Sequence, residues 1–114
     1  MRRMFASMVA IALLAHPAIA DAQRERACQL QGDLVGAVQQ ARLNRVPKSK
    51  LTETIAASNP HLSESVLATI PALGNHVYSI KRRDLKKVDL RSATKQQCID
   101  NWEQIQKMQK DISN

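Results

Sequence analysis

Aromatic side chains are almost missing from this chain, with one Trp, one Tyr and one Phe in 114 residues. A core without them must be packed from Leu, Ile, Val and Ala and is thin. Sustained apolar/polar alternation is also missing, which argues against strands. No apolar run after residue 22 approaches the roughly 20 residues of a membrane span. Internal repeats, low-complexity tracts and interdomain linkers are absent. Cysteine occurs only at Cys28 and Cys98. A C-x-x-C pair, the usual device for lowering a thiol pKa, is therefore excluded. A lipid attachment site at Cys28 would need small and apolar residues before it, and Glu25-Arg26-Ala27 stand there instead.

What is present starts at the N-terminus. Met1-Arg2-Arg3 is a charged start, residues 4–15 are apolar apart from Ser7, and Ala18-Ile19-Ala20 and Ala20-Asp21-Ala22 are overlapping small-residue cleavage signals. This is the pattern of a secretory signal peptide over 1–22, cleaved after Ala20 or Ala22. It predicts a periplasmic or secreted protein, with one domain over 23–114. The 92 or 94 residues left make a small domain that buries a modest share of its surface. An oxidising compartment favours a Cys28–Cys98 disulfide. Closing roughly 70 residues is worth about 4 kcal/mol on the chain-entropy account, comparable to the whole stability of a small domain.

The formal charge is +7, from 17 basic and ten acidic residues. Arg2 and Arg3 leave with the signal, so cleavage after Ala20 gives +5; cleavage after Ala22 also removes Asp21 and gives +6. The mature domain is still basic.

Periodicity predicts an all-α fold. A first helix over 22–43 carries Leu30, Leu34, Ala37, Val38 and Ala41 on one stripe. Asn44 is its expected left-handed stop, before Pro47. A short helix over 49–58 turns Leu51 and Ile55 inward. Asn59-Pro60 reads as cap and first residue of the next helix, which carries Leu62, Val66 and Ile70. Pro71 kinks or restarts it, and Leu73, Val77 and Ile80 continue its inward face to about 81. Residues 82–88 read as a charged loop. Asp89 caps a last helix to 112, on which Cys98, Trp102, Ile105, Met108 and Ile112 form one inward stripe with Trp102 as core anchor. The expected architecture is a small four- or five-helix bundle closed by one disulfide between its first and last helices.

Charge is the strongest surface feature. Lys81, Arg82, Arg83, Lys86, Lys87, Arg91 and Lys95 are opposed only by Asp84 and Asp89. Arg42, Arg45, Lys48 and Lys50 form a second group around the first loop. Clustered cations neutralise phosphates and release counterions, so both groups suit lipopolysaccharide, an anionic membrane surface or nucleic acid. Single-strand readers add stacking aromatics, which the 81–95 segment lacks. The competing readings are an ordinary solvated face and a docking surface for an acidic protein.

Other patterns are weaker. Ser92-Ala93-Thr94-Lys95 spells S-x-x-K, yet the S-D-N and K-T-G partner motifs of penicillin-recognising enzymes are absent. His61 and Glu64 share a helical spacing, but a metal site needs three or four ligands and His76 is the only other mature histidine. Ser79 beside His76 has no identifiable orienting acid. No catalytic residue, metal or cofactor is expected. Gly32 and Gly36 spell G-x-x-x-G, which in a soluble helix marks a close crossing, by the last helix near Cys98, or a dimer face.

An early cysteine opening a helix (Cys28), Gln39-Gln40-Ala41-Arg42 near its end, Val77-Tyr78 closing a middle helix and a late cysteine (Cys98) together give a recognisable outline. In this the chain resembles a loose group of small, uncharacterised secreted helical proteins of Gram-negative bacteria. The resemblance implies a disulfide-tied helical fold in the periplasm and carries no activity. Leu43-Asn44-Arg45 stand where an acidic residue and a glycine would follow that arginine. Small two-cysteine periplasmic acid-stress chaperones share size and helicity without a matching motif. The expected function is non-enzymatic macromolecular binding through the 81–95 segment and the adjoining helix surface. The leading class is a protein-interaction module: an inhibitor, an accessory factor or a small chaperone with an unknown protein partner. The alternative is a polyanion or envelope-surface binder using the same cations.

Overall fold

The computed structural model describes residues 17–113. Most of the expected signal peptide therefore lies outside the described residues. Helix α1 runs from Pro17 to Leu43 and thus passes through both expected cleavage signals. A 3-10 turn (Lys48–Lys50) leads into α2 (Leu51–Ser58). The one-turn α3 (Glu64–Leu67) precedes α4 (Ile70–Tyr78). A second single turn, α5 (Arg82–Leu85), is followed by α6 (Leu90–Asp100) and α7 (Trp102–Ser113). Among the described residues there is no strand. The all-α class is as expected, with the long expected helices divided at definite places.

Each division has a local cause. Asn59 does not cap a following helix. Its side-chain amide donates back to the Ile55 carbonyl at 3.0 Å, closing α2, and its own carbonyl accepts from Leu62 in a turn. The cap of the next helix stands four residues later, where the Ser63 hydroxyl accepts from the Val66 amide. Pro71 restarts rather than kinks the chain, sitting in the first turn of α4 where its missing N–H costs nothing. The left-handed stop of α1 is Arg45 (φ 63°), one residue beyond Asn44. Val46 N–H bonds to Ala41 and Arg45 N–H to Arg42, the paired bonds of a Schellman cap. The 82–88 stretch is not simply a loop: α5 folds there and plants Leu85, fully buried, in the core.

The core gathers around the C-terminal half of α1. Val35, Val38 and Ala41 meet Leu51 and Ile55 of α2, Ile70 and Val77 of α4, and Leu85 of α5. Helix α6 is attached differently. It lies antiparallel along α1, and Cys98 is its one buried residue. Cys98 bonds to Cys28 with Cα atoms 5.4 Å apart, ordinary disulfide spacing. Higher up, Gly32 and Gly36 let α6 come close: a Cβ at Gly32 would stand 2.8 Å from the Arg91 carbonyl oxygen. The G-x-x-x-G pair is thus a packing device beneath α6.

The last helix corrects the expected stripe. A single helix to 112 is interrupted at Asn101, and Trp102 and Ile105 are only half-buried. Met108 is 63% and Ile112 83% exposed. The reason is reach: α2, α4 and α5 surround the far half of α1, so α7 passes beyond them. Trp102 is not a core anchor. Leu30, also expected inside, is 40% exposed because it lines two open grooves beside Leu34 rather than closed core.

Candidate functional site

The fold brings the two basic groups to one end of the molecule. The Schellman cap turns the chain out of α1 into the 44–50 loop. The Tyr78 hydroxyl, at the end of α4, donates to the Val46 carbonyl at 2.7 Å, joining this loop to the start of the 79–88 segment. The Arg42 guanidinium lies 5.2 Å from the centre of the Tyr78 ring, a cation–π distance. Burial pushes the Tyr78 phenol above its ordinary value, with the Arg42 charge opposing.

A third tie comes from Gln39, which is buried. Its side-chain amide donates to the Leu85 carbonyl at 2.9 Å and the Val88 carbonyl at 2.8 Å, and its oxygen accepts from the Leu90 amide at 3.2 Å. One side chain thereby satisfies three backbone groups where α5 turns into α6. Sequence reading missed this residue's role, because nothing in a polar Gln on a helix announces three partners 46 to 51 residues away.

The segments joined by these ties carry Arg42, Arg45, Lys48, Lys50, Lys81, Arg82, Arg83, Lys86 and Lys87, with Glu53, Asp84 and Asp89 as the acids. Lys50–Glu53 at 3.6 Å and Arg83–Asp84 at 3.8 Å are long, exposed pairs that add little stability, and nine cations against three acids leave a net +6. Asp89 is occupied as the cap of α6, accepting from the Ser92 amide and hydroxyl, and these bonds hold its carboxyl below the ordinary value. The result is a cationic pole built from two loops.

Two residues of the expected 81–95 group do not belong to it. Arg91 lies on α6 with its guanidinium 2.7 Å from the Asp33 carboxylate. Lys95, further down, donates to Glu25 at 2.7 Å and holds that carboxyl low. Both cations fasten α6 to α1. The same contacts dispose of the S-x-x-K pattern, since the Ser92 hydroxyl bonds to Asp89 and the Lys95 ammonium is paired.

The remaining candidates are scattered. His61 lines a shallow groove with Asn59, Leu62 and Arg91, while Glu64 opens α3 and His76 is exposed on α4. Among the described residues no three His, Cys, Asp or Glu side chains are grouped as metal ligands would be. No described helix is long and apolar enough to cross a membrane. The disulfide fits a protein outside the reducing cytoplasm. An adjoining apolar groove of about 360 Å³, sharing Leu30 and Leu34 with the first, is also lined by Val35, Val66, Leu73 and, from α6, Thr94.

No protein-family model matches the chain, and no curated protein or solved structure is significantly similar to it.

Proposed function

We propose that the protein is a non-enzymatic binding protein of the periplasm or extracellular space, and that its cationic pole engages a phosphate-bearing polyanion. Export rests on the 1–22 signal pattern, and the group of secreted two-cysteine proteins that the chain resembles agrees with it. The observation that carries the reading is the joining of the 44–50 and 79–88 segments through Tyr78 and Val46. Two runs of cations distant in sequence thus make one surface. Such a surface recognises charge density rather than shape. Of the two binding classes, this favours the polyanion over a packed protein interface, which centres on a desolvated aromatic or apolar anchor. Tyr78, the one aromatic residue there, is half-buried and occupied beneath Arg42, which leaves Val88 as the large apolar side chain exposed among nine cations. The shared ligand chemistry is the phosphate of lipopolysaccharide, of anionic lipid headgroups or of double-stranded nucleic acid.

The test uses the mature, disulfide-bonded protein with three separate probes: lipopolysaccharide, phosphatidylglycerol vesicles and a DNA duplex. Affinity is expected to fall steeply with salt, with a log–log slope of about −0.9 for each phosphate neutralised on DNA. Replacing Lys48, Lys81, Arg83 and Lys87 with Gln should flatten that slope and weaken binding at least tenfold. Binding that ignores salt, or survives these replacements, contradicts the reading. The probe bound most tightly identifies the source of the phosphate.

A further inference from the structure

The cationic pole carries more than charge. Val88 ends the 79–88 segment with 49% of its surface exposed, directly after the exposed Lys86 and Lys87. Its backbone is held. The buried Gln39 donates to the Val88 carbonyl at 2.8 Å, Val88 N–H bonds to the Leu85 carbonyl at 3.4 Å, and Leu85 itself is fully buried. The turn therefore fixes Val88 at the surface. The 44–50 segment repeats the pairing on a smaller scale: Pro47 is exposed immediately before Lys48, and its carbonyl accepts from Lys50 N–H at 2.9 Å. Each segment thus presents a stiff apolar residue next to lysine.

These residues separate the sources of phosphate. A DNA duplex offers phosphate and sugar to the cations and no apolar medium to an exposed valine beside them. A bilayer offers both at different depths, with phosphates at the headgroups and acyl chains just below. Lysine suits that layering, because its four-carbon stem keeps the ammonium with the phosphates while the neighbouring residue goes deeper. We infer, on the reading of the pole as a phosphate binder, that it docks on an anionic phospholipid bilayer, with Val88 entering the boundary between headgroups and acyl chains. Charge complementarity brings the pole to that surface, since nine cations against three acids leave it at +6. Salt screens this attraction, whereas the apolar contribution of Val88 is insensitive to it.

The mature, disulfide-bonded protein is titrated with phosphatidylglycerol vesicles and, separately, with a DNA duplex. Val88→Asn is expected to weaken vesicle binding about fivefold, as for burying the exposed half of one valine, and by the same factor at low and moderate salt. Its affinity for the duplex should equal that of the parent, which also shows that the pole is intact. In Val88→Trp, vesicles with acyl chains brominated close to the headgroups should quench the added fluorescence beyond the quenching seen in the parent. Equal vesicle binding by Val88→Asn and the parent, an absence of added quenching, or binding to the duplex without binding to the vesicles overturns the inference and leaves the pole a phosphate binder. Failure of every phosphate probe overturns both.

Discussion

The two halves of α1 live under different rules. From Leu34 to Ala41 the helix is surrounded: α2, α4 and α5 close over it, and Val38, Ile70 and Leu85 lose all contact with solvent. From Asp33 back to Glu25 its partner is α6, held by one disulfide, two ion pairs and a close approach over Gly32. Burial of apolar surface supports the first half, and a covalent staple supports the second. The lesson concerns where function is placed. The cored half can carry nine cations at its tip because packing beneath them fixes the loops, while the stapled half leaves an amphipathic helix uncovered.

The largest expected effect on this contrast is reduction of Cys28–Cys98, or Cys98→Ser with Cys28→Ser. Loss of about 4 kcal/mol is expected on the chain-entropy account, read as a large fall in urea midpoint. Hydrogen exchange should increase first in α6 and α7. An unchanged transition breaks the claim that α6 depends on the staple.

Next comes Gln39→Leu, which removes the partner of the Val88 carbonyl and the Leu90 amide and leaves the Leu85 carbonyl only its 3.4 Å bond from the Val88 amide. A cost of about 2–3 kcal/mol is expected, as for buried polar groups left unsatisfied, and loosening of the 85–90 turn should weaken anion binding as well. Wild-type stability in this variant would mean that water replaces the side chain.

Gly32→Ala against Gly36→Ala sharpens the comparison on one helix. The added Cβ at Gly32 meets the backbone oxygen of Arg91 at 2.8 Å, which can yield only if α6 moves, so a loss of about 1–3 kcal/mol is expected. At Gly36 the nearest atoms belong to the Arg91 guanidinium, at 2.7 to 3.0 Å, which can swing away. There the gain in helix propensity, about 1 kcal/mol, should leave thermal stability near that of the parent. Equal losses at both sites would contradict a backbone-limited approach.

The smallest effect is on the acid side. Lys95 lowers the Glu25 carboxyl, and the Ser92 bonds lower that of Asp89. A carboxyl lower in the folded than in the unfolded chain stabilises above its unfolded value, and that stability is lost as pH falls through the folded value. Melting temperature should therefore decline below about pH 4, and Glu25→Gln should make the decline shallower.

Much of this was legible in the residues, and the limits are physical. The 3.6-residue period of Leu34, Val38 and Ala41, with Leu51 and Ile55, located the core, and two cysteines behind a signal-peptide pattern suggested their pairing. Periodicity reports that one face of a helix is apolar and not what covers it. Met108 and Ile112 therefore read as inward although no core helix reaches them. Charge runs have the same blindness. Arg91 and Lys95 look like members of the 81–95 group until their acids, Asp33 and Glu25, arrive from α1. The pole itself depends on Tyr78 meeting Val46 across 32 residues, a contact that no local pattern encodes.

The most direct test of the central claim is a hydrogen-exchange footprint of the mature, disulfide-bonded protein with its tightest-binding phosphate polyanion at low salt. The account predicts slowed exchange in the 44–50 and 79–88 segments together, with α7 unchanged by the ligand. Protection confined to one of those segments, or centred on α7, would contradict a single pole made of two loops.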